Sequence, residues 1–142
     1  MMNKLFATDA PRATILIRLM VGLVFLSEGI QKFLLSAELG VGRFVKLGVP
    51  APDTLAPLVG ITEIACGCLM ILGLATRIAS LPLLGVMTGA FIFTRIPDFL
   101  KNGFWSGLHG GRTDFSMFLG LLFLLIVGAG SWSLDAKLGK NK

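Results

Sequence analysis

Four apolar runs, 14–35, 55–74, 77–96 and 115–130, leave this chain almost no choice of environment. Each is close to the roughly 20 residues that, at a rise of about 1.5 Å each, cross a hydrocarbon layer about 30 Å thick. Only 15% of the 142 residues are charged, against about 25% in an average soluble domain, so a water-exposed domain of this length would lack the polar side chains to cover itself. In lipid every backbone N–H and C=O must be satisfied, and a helix does this within its own segment. The chain is therefore expected to be an all-α integral membrane protein. Its one domain, 1–142, is an antiparallel bundle of four transmembrane helices near 14–35, 55–74, 77–96 and 114–131. A soluble nucleic-acid binder, a disulfide-stapled secreted domain and a soluble Rossmann enzyme are excluded.

The formal net charge is +5 and the isoelectric point near 9.7. The basic residues are dispersed over loops and ends, so the excess speaks of topology and not of nucleic acid. With the N-terminus inside, Lys4, Arg12, Arg77, Lys137, Lys140 and Lys142 fall on the inner side and Arg43, Lys46, Arg95, Lys101 and Arg112 on the outer. Cations favour the cytoplasm and an even number of spans keeps the ends together, so both termini are expected there. Asp9, Pro11 and Arg12 precede a long first run that no small-x-small cleavage site follows, so that run is expected to stay as a membrane helix. Cys66 and Cys68 stand about 200° apart on a helix and can share neither a metal nor a disulfide there. No His, Cys and carboxylate set has metal-ligand spacing, and no haem pair, nucleophile elbow, dinucleotide loop or phosphate loop is present.

Turn and cap residues divide the rest. Thr8 or Asp9 is expected to cap the first helix with Pro11 at its first position, and Asp53 or Thr54 to cap the second with Pro57 in its first turn. Between them, Leu39, Phe44, Val45 and Leu47 alternate with Glu38, Arg43 and Lys46 in a pattern that suits a short amphipathic element on the membrane surface. Gly73 to Thr76 makes a tight turn in which Thr76 caps the third helix, itself expected to end before Pro97. Phe99 to Thr113, rich in glycine, is predicted to be a long outer loop; Thr113 or Asp114 starts the fourth helix, and Trp132 anchors its exit. Gly22, Gly29, Gly60, Gly67, Gly85 and Gly89 are candidate helix-packing positions, Gly85 and Gly89 having the small-xxx-small spacing that lets backbones approach in lipid.

A charge near the bilayer centre costs about 2.5 to 3.5 kcal/mol on the insertion scale, so each ionisable residue inside a span needs a partner or a watery cavity. Arg18, Glu28 and Lys32 lie within about 80° of one another on the first helix and share a stripe with Gly22, Phe25 and Gly29. Glu63 stands about 12 Å into the second helix, too deep to reach water by itself. Counted from the same boundary, Lys32 is about 4 to 5 Å deep and Glu28 about 10 Å deep, so the three can meet in one half of the bundle. Two carboxylates around one ammonium leave a negative charge that needs a proton or a further cation, for which Arg95, His109 and Arg112 are the candidates. The expected polar pocket is Glu28, Lys32, Glu63, Arg95, His109 and Asp114. Against it stand snorkelling of Lys32, Arg95 and Arg112 to the headgroups, Glu63 as a neutral packing device, and His109 as a solvated loop residue. Arg18 and Arg77, near the other ends of their helices, are expected to be structural.

The runs Arg18 to Phe33, Leu58 to Ala79, Gly85 to Phe93 and Gly128 to Asp135 resemble, in order, the DoxX family of small bacterial four-helix membrane proteins. The most specific pieces are Gly29-x-x-Lys32, Glu63-x-x-x-Gly67, Gly73-x-x-x-Arg77 and the terminal Ser133-Leu134-Asp135. Where family members often carry Gly-Pro-Gly before that last motif, this chain has Gly128-Ala129-Gly130. The resemblance implies a multi-pass protein of the bacterial inner (plasma) membrane. It also implies an accessory role in quinone-linked redox, oxidative-stress or detoxification systems. On that reading the chain has no cofactor of its own, a quinone is the candidate ligand, and a redox enzyme, the lipid bilayer and further copies of the chain are its partners. Glu63 would accept a proton or donate a hydrogen bond, Lys32 would bind a ring oxygen and Glu28 would orient Lys32. A proton-coupled carrier of small solutes and a membrane scaffold for a soluble enzyme are the competing functions.

Overall fold

The computed structural model describes Thr8 and residues 10–140. Asp9, expected as a cap, and the terminal cations Lys4 and Lys142 lie outside the described residues. Four helices are long and apolar enough to cross a membrane: Thr14–Leu34, Pro52–Leu72, Thr76–Asn102 and Phe104–Val127. In chain order the elements are α1 (Thr14–Leu34), α2 (Val41–Lys46), α3 (Pro52–Leu72), α4 (Thr76–Ala90), a π-helical stretch (Phe91–Arg95), α5 (Ile96–Asn102), α6 (Phe104–Val127) and α7 (Leu134–Lys140). The bundle is the expected all-α, four-helix membrane architecture.

Helices α1 and α3 form the tightest pair, and glycines set their separation. A methyl group on Gly22 would come within 2.9 Å of the Gly67 carbonyl oxygen, and one on Gly29 within 2.7 Å of the Gly60 carbonyl oxygen. Backbone meets backbone there, so even alanine would drive the helices apart. Gly67 meets the Gly22 carbonyl in return, and Gly60 receives the Phe33 ring. Gly85 and Gly89, expected to pack in the same way, do not: a methyl on either meets nothing within 4 Å. The spacing permits close approach but does not supply a partner, and α4 borders open space at this level. Toward the chain ends the bundle closes around Val21, Met70, Leu83, Leu121 and Leu124, none of which has any exposure.

Two expected boundaries move. The third span passes through Pro97 and ends at Asn102. Proline lacks the N–H and crowds the carbonyl four residues back, that of Phe93, and the wider turn of the π stretch around Phe93 accommodates both defects. The predicted loop 99–113 is helical apart from Gly103, whose φ of 84° and ψ of 170° make a one-residue hairpin open to glycine and strained for other residues. The Phe99 ring fills the place of a side chain at Gly107. In a water-poor setting the backbone of such a segment has no better partner than itself, which outweighs its glycine content. Asp114 accordingly lies inside α6 instead of starting it.

The caps also differ from expectation. Ala51 and Ala75, both left-handed, precede α3 and α4, and Pro52 takes the first position of α3, which leaves Pro57 inside the helix. Thr76 does not cap α4: Asp135, from α7, accepts the Ala75 N–H at 2.7 Å and the Thr76 N–H at 3.0 Å. Pro11 precedes α1, and the Thr8 hydroxyl instead ties to the α6 exit, donating to the Val127 carbonyl and accepting from the Gly130 N–H. Trp132 is exposed at that exit, with the Arg12 guanidinium 5.6 Å above its ring.

Candidate functional site

Side chains on a helix lean toward its N-terminus, so Lys32, one turn beyond Glu28, leans back along α1 into the bundle. Because Gly29 and Gly60 bring α1 and α3 into backbone contact, its ammonium reaches Glu63: Nζ is 2.7 Å from Oε2. The same nitrogen is 3.7 Å from Glu28 Oε2 and donates to the Glu28 carbonyl at 3.5 Å. The Lys32 and Glu63 side chains are only 10% and 4% exposed, while Glu28 is half-exposed. The depth and face of these three residues, read from helical periodicity, thus bring them together in the structure.

A second ion pair joins the other two long helices. Arg95, the last residue of the π stretch, donates through Nε to Asp114 of α6, and both are about four-fifths buried. The two pairs line one cavity of about 580 Å³ whose walls are otherwise largely apolar, with Phe25, Val59, Met87, Phe93 and Met117 among them. Pockets of some 300 to 1,000 Å³, apolar with a few placed polar groups, are the usual form of a small-molecule site. Leu39, Arg43, Phe44 and Leu47, from α2 and its flanks, cover the end of the cavity. The amphipathic element expected on the membrane surface therefore roofs a chamber.

Five of the six candidate pocket residues, Glu28, Lys32, Glu63, Arg95 and Asp114, line the cavity; His109 does not. It is exposed, and its carbonyl accepts from Arg112 of the same turn. Since the segment is helical, His109 stands five residues before Asp114, about 140° around α6, and a loop's freedom to fold inward is absent. Arg43 was not among the candidates and belongs to the cavity. It is half-buried, and its guanidinium makes no hydrogen bond or ion pair with the described residues, unlike the other cavity cations. Its place between Leu39, Phe44 and Leu47 in the amphipathic stretch was the available signal. Among the described residues no group of three His, Cys, Asp or Glu side chains is placed to hold a metal ion. Cys66 is buried and Cys68 exposed, both as free thiols.

At the far end of α1, Arg18 is 2% exposed and takes no part in the cavity. Its Nε donates to the Met70 carbonyl at 3.1 Å, Nη2 to that of Ile71 at 3.2 Å, and Nη1 to those of Ala129 and Trp132 at 2.9 and 2.8 Å. Arg18 clamps the end of α3 to the α6 exit, the structural role expected of it. The Ser133-Leu134-Asp135 motif sits beside it: the Ser133 hydroxyl accepts the Ala136 N–H and donates to the Gly130 carbonyl, while Asp135 caps α4.

Fold and cavity together define a four-span α-helical membrane protein with a chamber in one half of its bundle. The model of the family described as DoxX matches residues 13–95, a stretch that holds Glu28, Lys32, Glu63 and Arg95. The chain belongs to the DoxX family. It is 51% identical to a protein of Mycobacterium tuberculosis named as the uncharacterized membrane protein Rv3486, over 97% of this chain and 88% of the relative. It is 28% identical to a Bacillus subtilis protein named as the putative oxidoreductase CatD, over 99% of this chain and 95% of that relative. No solved structure matches the chain.

Proposed function

We propose that the cavity binds a quinone or a related ring compound carrying oxygens, and that the protein is an accessory subunit of a quinone-linked redox or detoxification system of the membrane. The observation that carries this reading is the Lys32–Glu63 pair, a cation and a carboxylate both about nine-tenths buried, at the wall of a largely apolar chamber. A structural pair needs no chamber beside it, and an apolar solute needs no pair. A flat ring with polar oxygens uses both. The Lys32 ammonium donates a charge-assisted hydrogen bond to a ring oxygen, Glu63 is the acceptor through which a proton passes to or from that oxygen, and Glu28 holds Lys32 in place. Electrons are supplied by a partner enzyme, and the name of the Bacillus subtilis relative as an oxidoreductase is in keeping with such a setting.

The packed terminal half of the bundle disfavours a carrier, because Arg18 and the unexposed residues Val21, Met70, Leu83, Leu121 and Leu124 occupy the path a solute would need. Titration of the protein in lipid nanodiscs with a short-chain naphthoquinone, followed by calorimetry, tests the proposal. One saturable site is expected, weakened about tenfold or more by Lys32→Met, as for loss of a charged hydrogen bond worth about 1.5 to 3 kcal/mol. Absence of saturation, or equal affinity in wild type, Lys32→Met and Glu63→Gln, overturns it.

A further inference from the structure

We infer that the cavity opens sideways into the bilayer at the level of the Lys32–Glu63 pair, and that the opening, floored by Gly85 and Gly89, holds the hydrocarbon chain of a long-chain ligand. This rests on the proposed ligand site for the ligand's head, but the opening has its own test. Helices α3 and α4 leave the same turn, which allows their depths to be compared. Glu63 lies nine residues before Leu72 at the end of α3, and Gly85 nine residues after Thr76 at the start of α4. At about 1.5 Å per residue both are about 13 to 14 Å from the turn, close to mid-bilayer. Val59 and Gly89 are matched in the same way, each thirteen residues from its end of the turn, and all four residues line the cavity.

The wall is open where the two glycines stand. Gly85 shares the outward stripe of α4 with the exposed Ile78 and Leu81 and yet lines the cavity, so the chamber reaches the lipid-facing surface there. No atom lies within 4 Å of where a side chain would begin on either glycine, in contrast to Gly22, Gly29, Gly60 and Gly67, which are all in close contact. Since no helix packs against Gly85 and Gly89, close helix approach does not account for their lack of a side chain. A chain passing over them does. A water-soluble ligand needs no passage at mid-bilayer, where only lipid lies outside. A ligand with a polar ring and an isoprenoid or acyl tail is already dissolved there, and enters without leaving the hydrocarbon.

The test uses Gly85→Leu and Gly89→Leu, singly and together. Both sites have open space and leucine favours helix, so folding is expected to be unchanged by circular dichroism. In nanodiscs, a menaquinone with a long isoprenoid tail and the tailless menadione are titrated in parallel. The double variant is expected to lose about tenfold or more in affinity for the tailed compound, the range that forced overpacking produces, and distinctly less for menadione, which has no chain to pass over the two positions. Equal effects on the two compounds, or none, overturn the side opening and leave the ring site standing.

A second measurement needs no quinone. A phospholipid with a diazirine at mid-chain is expected, on illumination, to label the buried cavity residues Met87 or Met117 in wild type and not in the double variant. If labelling is confined to outward residues such as Leu81 and Leu119, the opening does not admit a chain. If Met87 or Met117 is labelled while neither quinone binds, the opening stands and the quinone reading fails.

Discussion

Two kinds of buried charge coexist in this small bundle, and their partners separate them. Arg18 spends its donors on four backbone carbonyls, two of them in the last turn of α3, where C=O groups run out of helical partners. Lys32 instead meets carboxylates at the edge of empty volume. Arg18→Met is therefore expected to destabilise the protein by about 3 to 5 kcal/mol, because buried carbonyls left without a donor cost about 1 to 3 kcal/mol each. Arg18→Lys should recover only part of this, since one ammonium cannot span the same fork of acceptors. Replacing both members of the other pair, as Lys32→Met with Glu63→Met, should leave stability within about 1 kcal/mol of wild type while removing ligand binding, because a buried ion pair exchanged for apolar side chains is often neutral. Thermal unfolding in detergent compares them, and a double variant as unstable as Arg18→Met makes the Lys32–Glu63 pair a structural one. Residues 28, 32 and 63 were legible in the sequence because helix period and depth suffice to bring them together. The role of Asp135 was not, since the amides it caps lie 59 and 60 residues away along the chain.

At the scale of elements, what the sequence hides is the hairpin of α5 and α6. Gly103, Gly107, Gly110 and Gly111 read as a loop, yet only Gly103 breaks the helix, and Gly107 is occupied by the Phe99 ring. Turn chemistry learned from water misjudges a segment whose surroundings offer the backbone no alternative partner. The error carried His109 into the expected pocket, since a loop can fold inward and a helix face cannot. Pro97 misled in the same way, because a π turn was available to absorb it. The consequence for Gly103 is testable: Gly103→Ala forces an L-residue to φ 84° and ψ 170°, a strain of about 1 to 3 kcal/mol. Lower thermal stability is expected, with faster amide exchange confined to the α5–α6 hairpin and not in α1 or α3. Unchanged exchange there removes Gly103 as the hinge of that hairpin.

The whole molecule is built with unlike ends. Where the chain enters and leaves the bundle, the Arg18 clamp, the Asp135 cap and the packed aliphatic residues close it; at the other end α2 roofs the chamber. The start of α1 and the end of α6 both lie at the closed end because the number of spans among the described residues is even, and Gly103 turns the chain at the opposite one. The chamber's half of the membrane therefore follows from the orientation of the chain, for which the sequence expectation, six cations on the terminal side against five on the roof side, is a cytoplasmic closed end. On that orientation the chamber and its α2 roof lie in the outer half of the membrane. A periplasmic-active phosphatase inserted after Gly103 is then expected to be active, and the same reporter joined to Lys142 inactive. The reverse pattern puts the roof and Arg43 on the cytoplasmic face. Activity at both positions means that α6 does not cross the membrane, and removes the packing of α6 into the bundle on which the Arg95–Asp114 pair depends.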